Sequence, residues 1–308
     1  MRVAVVDLGT NSTRLLVAQV EDGRIEELER ASSVTRLGEL VDSTGRLQDP
    51  AMERVYDATG SYRRSIDHLG AERVVALATS AVRDADNGEH FHAQLRDRFG
   101  LDPRTITGDE EARLTFLGAT SDRGRSEGTV LVVDVGGGST ELVAGEPDAL
   151  PNFHVSTRAG SVRQTERHLD VDPPEAEQLD ELAQEVRTII GDAVPAAVRA
   201  GVKSGIAVAG TATSLAAIDQ QLDPVDPARI HGYPLTLEAC ERMLTGLAGM
   251  PLDERRRVTG LHPDRAPTIV AGAVILVESM HLFGLRSIDT SEADLLHGAA
   301  LEAAADNA

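Results

Sequence analysis

An apolar run that ends in aspartate, turns through glycine and returns as a second apolar run occurs twice in this chain. The first copy is Val3-Ala4-Val5-Val6-Asp7-Leu8-Gly9-Thr10-Asn11-Ser12-Thr13-Arg14-Leu15-Leu16-Val17, and the second is Leu131-Val132-Val133-Asp134-Val135-Gly136-Gly137-Gly138-Ser139-Thr140-Glu141-Leu142-Val143. Laid from Asp7 onto Asp134, the aspartate, the first glycine, Ser12/Ser139, Thr13/Thr140 and Leu15/Leu142 coincide. The apolar halves predict buried strands, and glycine lets backbone amides crowd a ligand oxygen at the turn. A Walker loop would run on through Gly-Lys-Ser/Thr into a helix; here Ser139-Thr140-Glu141-Leu142-Val143 continues as strand. Each copy therefore reads as a β-hairpin shaped to hold phosphate. They differ at one informative place, where Arg14 stands in the position of Glu141. That difference predicts two facing half-sites, one gripping an anion and the other holding a metal or a water. Two unrelated hairpins in a β-rich core are the alternative, and the matched offsets weigh against it.

A chain of 308 residues is too long for one ordinary core and predicts two domains. Its net charge of −20, from 50 acids against 30 bases, argues against nucleic acid or an anionic membrane as a partner. Aromatic residues make up only 3% and tryptophan is absent, which argues against a base-stacking platform. A polyanionic substrate would have to be held by a local positive cleft and metal ions. No apolar run approaches membrane-span length, and the N-terminus enters Arg2-Val3-Ala4-Val5-Val6-Asp7 without a signal-peptide layout. The single cysteine, Cys240, cannot form an internal disulfide and reads as a small core residue. A cytoplasmic protein is expected. The nine histidines contain no His-x-x-x-His pair, so no zinc pattern is present.

Along the chain, strands are expected over 2–7, 13–20 and 24–34, then a helix from Asp49-Pro50 to Leu69. A short buried strand, Arg73–Ala78, runs into Thr79-Ser80-Ala81-Val82-Arg83, a junction where backbone donors and an arginine can meet an anion. Arg83 equally reads as a surface arginine paired with Asp84 or Asp86. Thr107 followed by Glu110 has the form of a capping box, with Glu110 folding back on the helix start. Glu111, about a quarter turn further round, is then free to point into a cleft; alternatively both acids simply complement the helix dipole. Ser121–Gly128 reads as a hinge. A third strand near 150–157 leads to a loop-to-helix entry at Arg158–Arg163 and a long helix over 175–200 with a bend at Pro195. The strand Gly205–Ala209 runs into Gly210-Thr211-Ala212-Thr213-Ser214, the segment Ser287–Thr290 reads as a last strand, and Ser291-x-x-Asp294 caps the final helix.

The hairpins, with Ala209-Gly210-Thr211-Ala212-Thr213-Ser214, resemble the actin, hexokinase and Hsp70 superfamily. Asp7-Leu8-Gly9-Thr10-Asn11-Ser12, Ala78-Thr79-Ser80-Ala81-Val82-Arg83, Gly108-Asp109-Glu110-Glu111-Ala112-Arg113 and the Asp134–Glu141 segment, in that order, resemble one branch of it. That branch is the exopolyphosphatase and guanosine pentaphosphate phosphohydrolase (Ppx/GppA) family. The resemblance implies an α/β fold of two ribonuclease-H-like domains, over 1–122 and 123–308, with a ligand cleft between them. It also implies hydrolysis of terminal phosphoanhydride bonds of inorganic polyphosphate with Mg²⁺ or another divalent cation. Glu111 matches the family's proposed base, and Asp134 and Glu141 complete the catalytic set. Asp134 and Glu141, with Asp7 in reserve, offer the hard oxygens that Mg²⁺ prefers. Gly9, Thr10, Asn11, Ser12, Gly136, Gly137, Gly138 and Ser139 would cradle phosphate, while Arg14, Thr79, Arg83 and Arg265 would bind its oxygens. A homodimer is expected. Other readings stay open: guanosine pentaphosphate or tetraphosphate as ligand, a kinase or ATPase, and a non-catalytic alarmone-binding or actin-like protein. The family's Gly-Leu-Arg-Glu-Gly run is replaced here by Ala293-Asp294-Leu295-Leu296-His297-Gly298, so the role of that arginine does not carry over.

Overall fold

Two sheets with matching strand order organise the chain. The computed structural model describes residues 1–122, 128–147 and 149–306. By its internal contacts the chain forms one unit from Met1–Asp122 with Asp294–Ala308, and another from Arg123–Ala293. The first unit holds β1 (Arg2–Leu8), β2 (Ser12–Glu21), β3 (Arg24–Val34), β4 (Arg73–Ala78) and β5 (Arg104–Thr105), in the order β3-β2-β1-β4-β5. The second holds β6 (Thr129–Val135), β7 (Thr140–Gly145), β8 (Phe153–Thr157), β9 (Val202–Val208), β10 (Pro234–Thr236) and β11 (Ser287–Thr290), in the order β8-β7-β6-β9-β11-β10. In each sheet an antiparallel three-strand meander adjoins a run of parallel strands. The duplication seen in the hairpins thus extends across both sheets, and among the described strands β10 alone has no counterpart.

The central strands β1 and β6 carry apolar residues on both faces because both faces are covered. In β1, Ala4 and Val6 face a core with Val55, Tyr62 and Ile66 of the helix Asp49–Leu69 and with Phe91 and Leu95 of the helix Gly88–Phe99. The alternate residues Val3 and Val5 face Leu114 of the helix Gly108–Thr120 and Leu295, Leu296 and Ala300 of the C-terminal helix Leu295–Ala305. That is the period of two expected for a strand. In the second unit Leu131, Val133 and Leu142 share a core with the helices Ala176–Ala193, Ala209–Asp219 and Ile269–Phe283.

Three expectations need correction or placement. Residues 294–308 belong to the first unit rather than to a second domain running from 123 to 308. The physical reason is the apolar stripe of the C-terminal helix, which completes the Val3–Val5 face of the first sheet. At Pro195 the chain breaks rather than bends: the long helix ends at Ala193, and Pro195 caps a separate helix, Ala196–Gly201, since proline has no N–H to continue the ladder. The hinge expected over Ser121–Gly128 falls largely on residues 123–127, outside the described residues. Cys240 is buried, and burial pushes its thiol up to about 12. Among the described residues no helix is long and apolar enough to cross a membrane.

Candidate active site

In each unit the residues singled out above collect at the carboxyl ends of the parallel strands, the edge at which open α/β sheets bind ligands. The β1–β2 turn is closed by the Gly9 N–H, which donates to the Ser12 carbonyl at 3.1 Å. A Cβ on Gly9 would stand 2.7 Å from that same carbonyl oxygen, so the close approach admits only glycine. Antiparallel pairing sets Asp7 opposite Arg14, whose Nε donates to Asp7 Oδ2 at 2.8 Å. Another nitrogen of Arg14 is ion-paired with Asp294, the N-cap of the C-terminal helix. The sequence places Arg14 at phosphate oxygens, whereas the structure places it on two buried carboxylates.

One guanidinium shared by two buried acids does not serve both equally. Burial raises the Asp7 carboxyl above its ordinary value, against the pull of Arg14. Burial opposes the charge of Asp294 as well, but Arg14, Arg30, His297 and the Leu296 amide together hold it below the ordinary value. Asp7 Oδ1, Asn11 Oδ1 and Ser12 Oγ are buried with no hydrogen-bond partner among the described residues. Each such orphan costs about 1–3 kcal/mol, and three of them on one turn mark a place where a ligand, ion or water supplies the missing partner.

β4 ends beside this turn, the Thr79 N–H lying 3.4 Å from the Leu8 carbonyl that accepts it. Arg83, four residues on, donates through Nη1 to the Ile106 carbonyl at 2.8 Å and to Glu111 Oε2 at 3.2 Å. Thr107 caps the helix Gly108–Thr120, its Oγ1 accepting the Glu110 N–H at 3.1 Å. The return arm of the expected capping box is not the use made of Glu110, whose carboxylate pairs with Arg104 at 2.5 Å. Glu111 diverges from it as the helical step requires: it is buried and held by Arg83.

The second unit repeats the turn, with the Gly136 N–H donating to the Ser139 carbonyl at 3.0 Å. Here Asp134 is opposed by Glu141, and both are buried. Directly opposed residues stand about 4.5–5.5 Å apart at Cβ, and like charges so placed repel. Ser156 Oγ donates to Glu141 Oε1 at 2.6 Å, which orients one carboxylate.

The carbonyls of the glycine turn are claimed by the next helix, Ser161–His168. Gly136 O accepts the Ser161 N–H at 2.9 Å, and Gly137 O accepts the Val162 N–H at 2.8 Å. Gly138 O accepts Arg163 Nε at 2.9 Å. In a trans peptide the N–H points opposite to the carbonyl. The amides of Gly137, Gly138 and Ser139 are therefore aimed away from that helix, as an anion nest needs. A Cβ on Gly160 would overlap the Gly138 backbone. Gly160 and the buried Arg163 support the glycine turn, and in the sequence they were marked only by the loop-to-helix entry at Arg158–Arg163. At the end of β9, Ala209 adopts φ 63°, in the left-handed region that costs a non-glycine residue about 1–3 kcal/mol. The Arg265 guanidinium occupies the space a side chain on Gly210 would need.

Among the described residues no three His, Cys, Asp or Glu side chains gather to hold a metal. Mg²⁺ is commonly bound by one or two carboxylates with several waters retained. The Asp134–Glu141 pair meets that requirement, because an acid rather than a base stands opposite the aspartate.

A family model described as the Ppx/GppA phosphatase family matches residues 16–306. The chain is 36% identical to Exopolyphosphatase 2 of Mycobacterium tuberculosis over 321 aligned positions, covering 98% of each protein. The crystal structure of the Aquifex aeolicus member of the Ppx/GppA family shares 31% identity at a TM-score of 0.83, over 100% of this chain and 98% of that one. The crystal structure of an exopolyphosphatase-like protein shares 34% identity at a TM-score of 0.93 over the whole of both chains. The two-domain, actin-like α/β fold implied by the sequence is the fold of these solved relatives.

Proposed function

Since the chain belongs to the Ppx/GppA phosphatase family, we propose that it is a Mg²⁺-dependent exopolyphosphatase releasing orthophosphate from the ends of inorganic polyphosphate. The observation that carries this reading is Glu111, a buried carboxylate at a helix start, held by Arg83 at 3.2 Å. Phosphoanhydride hydrolysis asks a protein mainly to position water and to neutralise spreading charge. Glu111 takes the proton of the attacking water, whose oxygen bonds to the terminal phosphorus as the bridging P–O bond breaks and the shortened chain departs. General-base help of this kind is worth about 10²–10⁴ in rate.

The amides at Gly9–Ser12 and Gly136–Ser139 donate to phosphate oxygens, and Arg83 and Arg265 add positive charge. Bound at Asp134 and Glu141, Mg²⁺ would neutralise charge on the transferred phosphate. Arg14 serves this arrangement through its hold on Asp7. Relatives named exopolyphosphatase support polyphosphate as substrate. The scarcity of aromatic residues gives guanine little to stack on.

The test is orthophosphate release measured side by side on long-chain polyphosphate, short-chain polyphosphate and guanosine pentaphosphate in Mg²⁺. The highest kcat/KM is expected on polyphosphate. A preference for the pentaphosphate would replace the substrate, and no release from any of the three would favour a non-catalytic alarmone-binding role.

A further inference from the structure

The two oxygens of Asp294 do different work. Oδ1 accepts the Leu296 N–H at 3.0 Å and so caps the C-terminal helix. Oδ2 pairs with Arg14 and lies 4.0 Å from a terminal nitrogen of Arg30. The other side of the Arg14 guanidinium meets Asp7 Oδ2 twice, at 2.8 Å through Nε and 2.7 Å through Nη2. Asp7 Oδ2 is thereby occupied, while Oδ1 stands buried with no partner among the described residues. A carboxylate gripped by one oxygen in two places presents the other in a fixed direction.

The same helix also registers the helix of Glu111. A Cβ on Gly298 would overlap the Leu114 carbonyl, and one on Gly118 would overlap the carbonyl of Asp294 itself. Leu114 lies about one turn after Glu111, and Gly298 about one turn after Asp294. His297 anchors the arrangement to β3, its Nε2 standing 2.9 Å from Glu27 Oε1. We propose that Asp294 is a positioning residue for phosphate release. It acts through Arg14 to fix the direction of the Asp7 carboxylate, and its helix keeps that carboxylate in register with the helix carrying Glu111. The proposal rests on the exopolyphosphatase reading above.

Asp294→Asn and Asp294→Ser both retain an effective N-cap but discard the charge. A residue that only caps would therefore leave kcat unchanged in both. The proposal expects kcat on polyphosphate to fall about tenfold in each, with KM within about twofold, as for a misdirected catalytic group. In a double-mutant cycle, Asp294→Asn should cost nothing further once Arg14→Gln is present. Wild-type kcat in both cap-retaining variants, or losses that multiply in the double variant, would overturn it. Wild-type protein that releases no phosphate from any substrate would sink the assigned reaction instead. The cycle is then read on unfolding temperature, where non-additive shifts uphold the Arg14–Asp294 linkage and additive shifts end it.

Discussion

At the scale of single residues, the informative contrast is between Asp7, paired in register with a base, and Asp134, paired in register with an acid. Like charges directly opposed repel, and on the proposed function this pair takes up the divalent cation. Glu141→Gln should therefore raise the unfolding temperature in chelator by a few degrees, at about 2–4 °C per kcal/mol for a unit of this size. Mg²⁺ should raise the wild-type midpoint by mass action and leave that of Glu141→Gln nearly unmoved. A magnesium-independent wild-type midpoint would argue against a metal at this pair. His92 gives a separate, acid-side signature. It is buried on the helix Gly88–Phe99, 3.3 Å from Thr105 Oγ1, and burial lowers its pKa below the ordinary 6.5. The unfolded chain takes up that proton more readily, so stability falls as pH drops below about 6.5. Denaturant unfolding across pH 4–8 should show a shallower acid limb in His92→Gln than in the wild type.

At the scale of elements, the glycine turn depends on the helix that follows β8. Gly160→Ala would push a methyl into the Gly138 backbone. Overpacking of this kind costs about 1–3 kcal/mol, and here it also tilts the amides of Gly137–Ser139. Gly191→Ala is the matched control, because nothing lies within 4 Å of the added carbon and the site is in the helix Ala176–Ala193. It should stabilise by up to about 1 kcal/mol. Thermal unfolding and phosphate release should both fall in Gly160→Ala, and neither should fall in Gly191→Ala. A Gly160→Ala variant with wild-type turnover would mean that the turn tolerates displacement. The hairpins, the helix Asp49–Leu69 and the strand Arg73–Ala78 were legible in the sequence because local periodicity and turn residues determine them. The use of Glu110 was not: Thr107 and Glu110 have the spacing of a reciprocal cap, but Arg104, on the two-residue strand β5, competes for the carboxylate.

At the scale of the whole molecule, the duplication read from stretches of fifteen and thirteen residues proved to be a duplication of sheets, β3-β2-β1-β4-β5 against β8-β7-β6-β9-β11. The destination of the C-terminal helix was not readable. Leu295, Leu296, Ala299 and Ala303 announce an apolar face but say nothing of which sheet it covers, and the partners Val3 and Val5 lie almost three hundred residues away. The second carboxylate on Arg14 was unreadable for the same reason: Asp294 is distant in sequence. On the proposed function, Glu111 activates water in a Mg²⁺-dependent release of orthophosphate. The most direct test is the rate of release from polyphosphate over a Mg²⁺ titration, for wild type and Glu111→Gln. Wild-type release should vanish in chelator and return with Mg²⁺, while Glu111→Gln, folded to the same midpoint, should stay at least about 10²-fold slower at every concentration. Undiminished turnover by Glu111→Gln, or release that persists without a divalent cation, would contradict the account.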